Sequence, residues 1–102
     1  MYNNRLKEPF IDKFIEAILL LENTEECHRF FEDILTISEL KSIAQRLEVA
    51  KMLDKDRTYT DIATETGAST ATISRVKKCL NYGADGYKLI LNKVQAEEIH
   101  EE

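Results

Sequence analysis

Three glycines and one proline are the only strong backbone breakers in this chain of 102 residues. So few interruptions favour helices, and no segment alternates apolar and polar residues convincingly enough for a strand. Cysteine is scarce as well. Cys27 and Cys79 sit in helical contexts without metal-ligand spacing, and the plain expectation is reduced thiols in a cytoplasm. No apolar run approaches the length of a membrane span, and the N-terminus shows no signal-peptide pattern, so no membrane partner is expected. The two histidines add little: His28 reads as a surface or core residue rather than a ligand, and His100 falls in the tail. There is no glycine-rich phosphate loop, no metal constellation and no nucleophile beside a plausible base, so an enzyme is not expected.

Positive charge is also in deficit. Lys and Arg number 14 against 19 Asp and Glu, a net charge of −5, which by itself argues against a nucleic-acid binder. Its distribution changes that picture. Residues 1–54 carry seven basic and eleven acidic side chains, whereas residues 55–93 carry seven basic and four acidic, a local balance of +3. The last nine residues carry Glu97, Glu98, Glu101 and Glu102, and this acidic tail, from residue 95 to residue 102, is expected to fray. Global acidity lowers non-specific affinity but leaves room for a local phosphate-binding face. The hydrophobic content of 43% suffices for one small core, and the chain reads as a single helical domain over residues 1–102.

The cationic region contains the segment with the most information, Thr58 to Leu80, which reads as a helix-turn-helix. Ile62 and Ala63 take the apolar side of a first helix, with Ala63 small where a second helix must cross. Thr58 and Asp61 form a capping box for that helix. Gly67 falls where it ends and can take the left-handed conformation without steric cost. Ala68 is the link, and Ser69 can accept the orphan N–H groups of the next helix. Ile73, Val76 and Leu80 recur at helical spacing and face back into the domain. Ala71, Ser74, Arg75 and Lys78 are left on the opposite face, flanked by Thr70, Thr72 and Lys77 near its leading end. Small hydroxyls and alanine allow close approach to base edges and thymine methyls, while arginine and lysine reach guanine edges or phosphates. An ordinary helical hairpin in a core would need the apolar positions but not this hydroxyl-and-basic outer face.

Elsewhere Pro9 fits the first position of a helix. From Phe10 to Leu21 the apolar residues cover more than one face, which is hard to bury in a small monomer and suggests contact with a second chain. Asn23 and Thr24 are candidate caps for a short second helix through about Phe31, with Phe30, Phe31, Ile34 and Leu35 as core candidates. Thr36 and Glu39 form another capping box. Leu40, Ile43, Ala44, Leu47, Ala50 and Leu53 then make a one-sided stripe, so the third helix runs to about Leu53. Asp54 to Arg57 is a polar turn. Asn81 to Gly86 ends the second helix of the motif, and a last helix starts at about Asp85, with Tyr87, Ile90, Leu91 and Val94 on one face. The expectation is an all-α fold of about six helices.

Leu35-Thr36, Glu39, Arg46, Gly67-Ala68 and Ala71-Thr72-Ile73-Ser74-Arg75 together resemble the Trp repressor family, in particular its YerC/YecD-type Trp repressor-like branch. The likeness is strongest from Ile34 to Leu80, and the helix order continues it over nearly the whole chain. The resemblance implies an intertwined homodimer, in which the N-terminal helices and the last helix of two chains interlock. It implies two symmetric recognition helices engaging half-sites about one DNA turn apart in a roughly palindromic operator. The family's DNA contacts fall on Thr60, Thr70, Ala71, Thr72 and Ser74, many of them water-mediated. L-Tryptophan is the family's corepressor; the two arginines that sandwich the indole and bind its carboxylate match Arg46 and Arg75, and Thr36 matches a position near the ligand amine. Val76 and Cys79 depart from the glycine and serine of the tryptophan-binding member, and the chain is one residue shorter before the motif. A valine there could fill the slot meant for the indole, so L-tryptophan, another small effector or none stay open. In the last case Arg46 would make an intramolecular ion pair and Arg75 would contact phosphate.

The function expected from these readings is a sequence-specific, dimeric transcription regulator of the repressor kind. It would bind double-stranded DNA in the cytoplasm through Thr60, Ser69, Thr70, Ala71, Thr72, Ser74, Arg75, Lys77 and Lys78. The alternative is a helical protein–protein adaptor that kept the repressor fold and lost DNA binding, a reading that the acidic total charge motivates.

Overall fold

A computed structural model describes residues 8–101 of the protein. Among them are six helices and no strand: α1 (Pro9–Ile18), α2 (Thr24–Ile34), α3 (Ile37–Asp54), α4 (Tyr59–Thr66), α5 (Thr70–Tyr82) and α6 (Gly86–Glu101). The side chains of Ile99, His100 and Glu101, and the whole of Glu102, lie outside the described residues.

The chain divides into two compact units, residues 1–40 and residues 41–102. In the first, Pro9 starts α1 as expected, because a missing N–H costs nothing at that position. Glu8 caps it, its carboxylate accepting from the backbone N–H groups of Phe10 and Ile11 at 3.0 and 3.1 Å. α1 stops at Ile18, short of the end of the apolar run. Leu20 and Leu21 donate to the carbonyls three residues back, tightening the chain before the next cap. Asn23 is that cap, its Oδ1 accepting from Glu26 N–H at 2.9 Å. α2 runs three residues past the expected Phe31. Phe30 lies 6.1 Å from Phe14 and 5.6 Å from Phe31, ring centre to ring centre. Ile34, expected in the core, is instead exposed, and no residue of α1 or α2 is fully buried. The Thr36 and Glu39 box forms in full: Thr36 N–H donates to the Glu39 carboxylate at 2.9 Å, and Glu39 N–H to Thr36 Oγ1 at 3.0 Å.

The second unit holds the core: Val49, Ala50 and Met52 from α3, Ile62 from α4, Ala68 from the turn, Ile73, Val76 and Leu80 from α5, and Leu91 from α6. Fully burying a side chain of this kind contributes about 1.5–3 kcal/mol. The expected stripe on α3 is corrected here. Ile43, Ala44 and Leu47 are exposed or nearly so, while Val49 and Met52, which lie off that stripe, are buried. Val49 follows Leu47 by two residues and so lies about 200° further around the helix. The two halves of α3 thus turn different faces to their surroundings, and only the C-terminal half meets the core.

The glutamate-rich end is helical as far as Glu101, and Glu98 pairs with Lys51 at 3.3 Å. On α6, Ile90 is 40% exposed and only Leu91 of the expected face is buried, with Tyr87 and Val94 half-buried.

Candidate nucleic-acid interface

The pair α4 and α5 is built by local sequence. Thr58 caps α4, its Oγ1 accepting from Asp61 N–H at 3.1 Å. The return bond of the expected box does not form among the described residues. Aspartate is one methylene shorter than the usual glutamate, and the Asp61 carboxylate faces Arg57 at 3.7 Å instead. Arg57 also meets Glu65 at 2.7 Å, so it spans the outer face of α4. At the other end Gly67 ends the helix with φ 75, donating its N–H to the Ala63 carbonyl at 2.9 Å. Thr66 Oγ1 donates to the Ile62 carbonyl at 2.7 Å and accepts from Ala68 N–H at 3.1 Å. Gln45 on α3 donates to the Thr66 carbonyl at 3.1 Å, tying the end of α4 to the long helix. Ser69 then caps α5, accepting from Thr72 N–H and donating to Thr72 Oγ1, both at 3.1 Å.

With Ile73, Val76 and Leu80 buried, the outward residues of α5 follow from helical geometry. Thr70, Ala71, Ser74, Arg75, Lys77 and Lys78 are all exposed, as are Ser69 and Thr60, whereas Thr72 is half-buried. The structure thus places these candidates on the exposed parts of α4, the turn and α5. Lys77 is a correction: it lies past the midpoint of α5, away from its leading end, with Nζ 5.6 Å from the centre of the Tyr59 ring. Arg75, Lys77 and Lys78 have no acidic partner within ion-pair distance among the described residues, unlike Arg57. The face is therefore cationic although the chain is acidic.

The candidate effector residues are placed differently. Thr36 belongs to the first unit, where its hydroxyl and N–H serve the α3 cap. Arg46 and Arg75 belong to the second. Arg46 is half-buried and makes no ion pair among the described residues, contrary to the intramolecular pair considered for it; Arg75 is exposed. Val76 is 1% exposed and part of the core. A groove of about 360 Å³ lies between α3 and α4, lined in part by Glu48, Lys51, Arg57 and Glu65, and includes neither Arg46 nor Arg75.

Sequence reasoning missed Tyr59, Gln45 and the Arg57 clamp. Arg57, two residues before α4, stands four residues from Asp61, and Asp61 four from Glu65, a spacing legible in the sequence. Nothing in the local pattern marks Gln45 or Tyr59, whose roles depend on elements distant in sequence.

Comparison with known proteins agrees with this arrangement. The family model described as Trp repressor protein matches residues 10–95. The uncharacterized protein YerC of Bacillus subtilis (strain 168) is 54% identical over 98 residues, covering 96% of this chain and 94% of that protein. Among solved structures, a TrpR-like protein from Eubacterium eligens ATCC 27750 has TM-score 0.87 and 53% identity, covering 91% of this chain and 96% of that one. A candidate Trp repressor from Staphylococcus aureus has TM-score 0.85 and 49% identity, covering 89% and 91%. No helix among the described residues is long and apolar enough to cross a membrane. An all-α chain with this helix order, matched by the family model over most of its length, belongs to the Trp repressor family.

Proposed function

We propose that the protein is a homodimeric, sequence-specific DNA-binding transcription regulator, acting as a repressor in the cytoplasm, with α4 and α5 as a helix-turn-helix and α5 as the recognition helix. The observation that carries this reading is the division of α5. Ile73, Val76 and Leu80 are buried to 8% exposure or less, while Ala71, Ser74, Arg75 and Lys78 project together from the other side. A helix that only completed a core would have no use for arginine and lysine without acidic partners among the described residues, beside small hydroxyls on its outer face. Thr60 and the capped N-terminal turn of α5, from Ser69 to Thr72, flank the face on which phosphates would lie.

The dimer reading rests on exposed apolar side chains. In the first unit Phe10, Leu19, Leu20 and Ile37 are 75–78% exposed; in the second Ile43 and Leu47 are 47% and 39% exposed. Apolar surface on this scale marks an association site. A second copy of the chain is its natural cover, because two recognition helices are needed to read a palindrome. The effector question stands on Arg46 and Arg75, both without acidic partners among the described residues. L-Tryptophan or another small carboxylate bearing a flat apolar group has chemistry that two guanidinium groups can accommodate.

Gel shift against genomic fragments tests the main reading. A specific, salt-sensitive complex should form. Replacing Arg75 or Ser74 with alanine should cost about 1–3 kcal/mol for each well-made hydrogen-bonded pair with a base that is removed. Absence of any sequence-selective complex would leave a helical adaptor as the better account.

A further inference from the structure

We propose that Tyr59 is a positioning residue that holds the Lys77 ammonium for a DNA phosphate, an inference that rests on the DNA-binding reading above. Lys77 Nζ stands 5.6 Å from the centre of the Tyr59 ring. Tyr59 opens α4 and Lys77 lies on α5, so the pair spans the seam between the two helices. The ring is half-buried and packs against the core, which fixes it, while Lys77 is exposed.

A carboxylate and an aromatic face both attract an ammonium, but they leave it in different states. A carboxylate cancels the charge and occupies N–H donors. The ring attracts through its quadrupole, has no net charge, and leaves donors free for an anion. Cations of the second unit show both arrangements. Arg57 meets Glu65 at 2.7 Å and Asp61 at 3.7 Å, and Lys51 meets Glu98 at 3.3 Å, so those charges are used within the fold. Lys77 has no acidic partner among the described residues. It also shares a flank of α5 with Thr70 and Ser74, seven and three residues earlier, and both are exposed. A lysine that grips a phosphate loses rotamer freedom, and the ring takes part of that loss before binding.

The test is titration of a mixed-sequence DNA duplex across a series of salt concentrations, because non-specific affinity comes from phosphate contacts. Lys77→Met should lower the slope of log affinity against log salt by about 0.9 for each phosphate no longer neutralised. Tyr59→Leu should weaken binding about two- to five-fold, the part of one lysine's ordering cost that the ring supplies before the phosphate arrives. Tyr59→Phe should bind as the wild type, since it keeps the ring. In a Lys77→Met background, Tyr59→Leu should have no further effect. An equal loss from Tyr59→Leu with and without Lys77, or an unchanged slope in Lys77→Met, overturns the proposal and leaves the DNA-binding reading intact. Wild-type protein that binds no duplex at any salt removes both. Should Tyr59→Leu not fold, nuclear magnetic resonance of the wild type and Tyr59→Phe decides: the methylene protons next to Lys77 Nζ should be shifted upfield by the ring, and ordinary lysine shifts in both would overturn the assignment.

Discussion

At Gly67 the backbone turns with φ 75, and no heavy atom beyond its two chain neighbours lies within 4 Å of where a Cβ would stand. At Gly83 the backbone is extended, but a Cβ would collide with the Cys79 carbonyl oxygen that accepts the Gly83 N–H. Alanine should therefore destabilise by different mechanisms at the two positions. Gly67→Ala meets only the left-handed backbone penalty, about 1–2 kcal/mol, with the fold around it unmoved. Gly83→Ala must shift the last turn of α5, and amide chemical shifts around Cys79 and Leu80 should change. Thermal unfolding with amide spectra of both variants distinguishes the two; identical, local spectral changes would contradict the distinction. The left-handed end at Gly67 is legible from its place after an apolar pair. The reason for Gly83 is not, because it lies in the approach of one carbonyl.

Helix boundaries in this chain follow from hydrogen bonds of side chains with backbone N–H groups. Asn23, Thr36, Thr58 and Ser69 each accept from the N–H three residues on, and each was legible from residue type and spacing. Glu8 was not, because glutamate is an unusual cap. The Thr36 and Glu39 box has a pH signature. The Thr36 backbone N–H, and secondarily its hydroxyl, hold the Glu39 carboxyl below its usual 4.5. A carboxyl depressed in the folded state stabilises fully above its unfolded value, and that contribution is lost as pH falls through the folded one. The thermal stability of wild type over Glu39→Ala should thus be greatest above pH 4.5 and shrink on acidification. Growth of the difference toward low pH would refute the assignment. Thr36→Ala should cost about 1 kcal/mol at neutral pH, the usual worth of a cap.

At the scale of the molecule, the side chains left in water are as informative as the core. α1 and α2 bury no residue fully, and the N-terminal half of α3 presents Ile37, Ile43 and Leu47 to solvent. Under the dimer reading these positions meet a second chain. Ile43→Asp combined with Leu47→Asp should then convert the sedimenting species to monomer and abolish cooperative binding to a palindrome. It should also leave the core cluster around Val49, Ile62 and Ile73 folded by circular dichroism. Retention of a dimer by that variant would place the interface elsewhere.

Sequence alone determined the helical class, most caps, the left-handed turn at Gly67 and the outward set on α5, because each depends on residues within one or two helical turns of each other. Tertiary structure decided which face of α3 is core, where Lys77 rests, and that Arg57 is used on Asp61 and Glu65 while Arg75 and Lys78 meet no acidic side chain among the described residues. The long helix carries apolar residues on two sides, and periodicity cannot say which side a distant element will cover. Pairings such as Gln45 with Thr66, or Lys51 with Glu98, join residues 21 and 47 positions apart, and only the folded chain brings them within hydrogen-bonding reach.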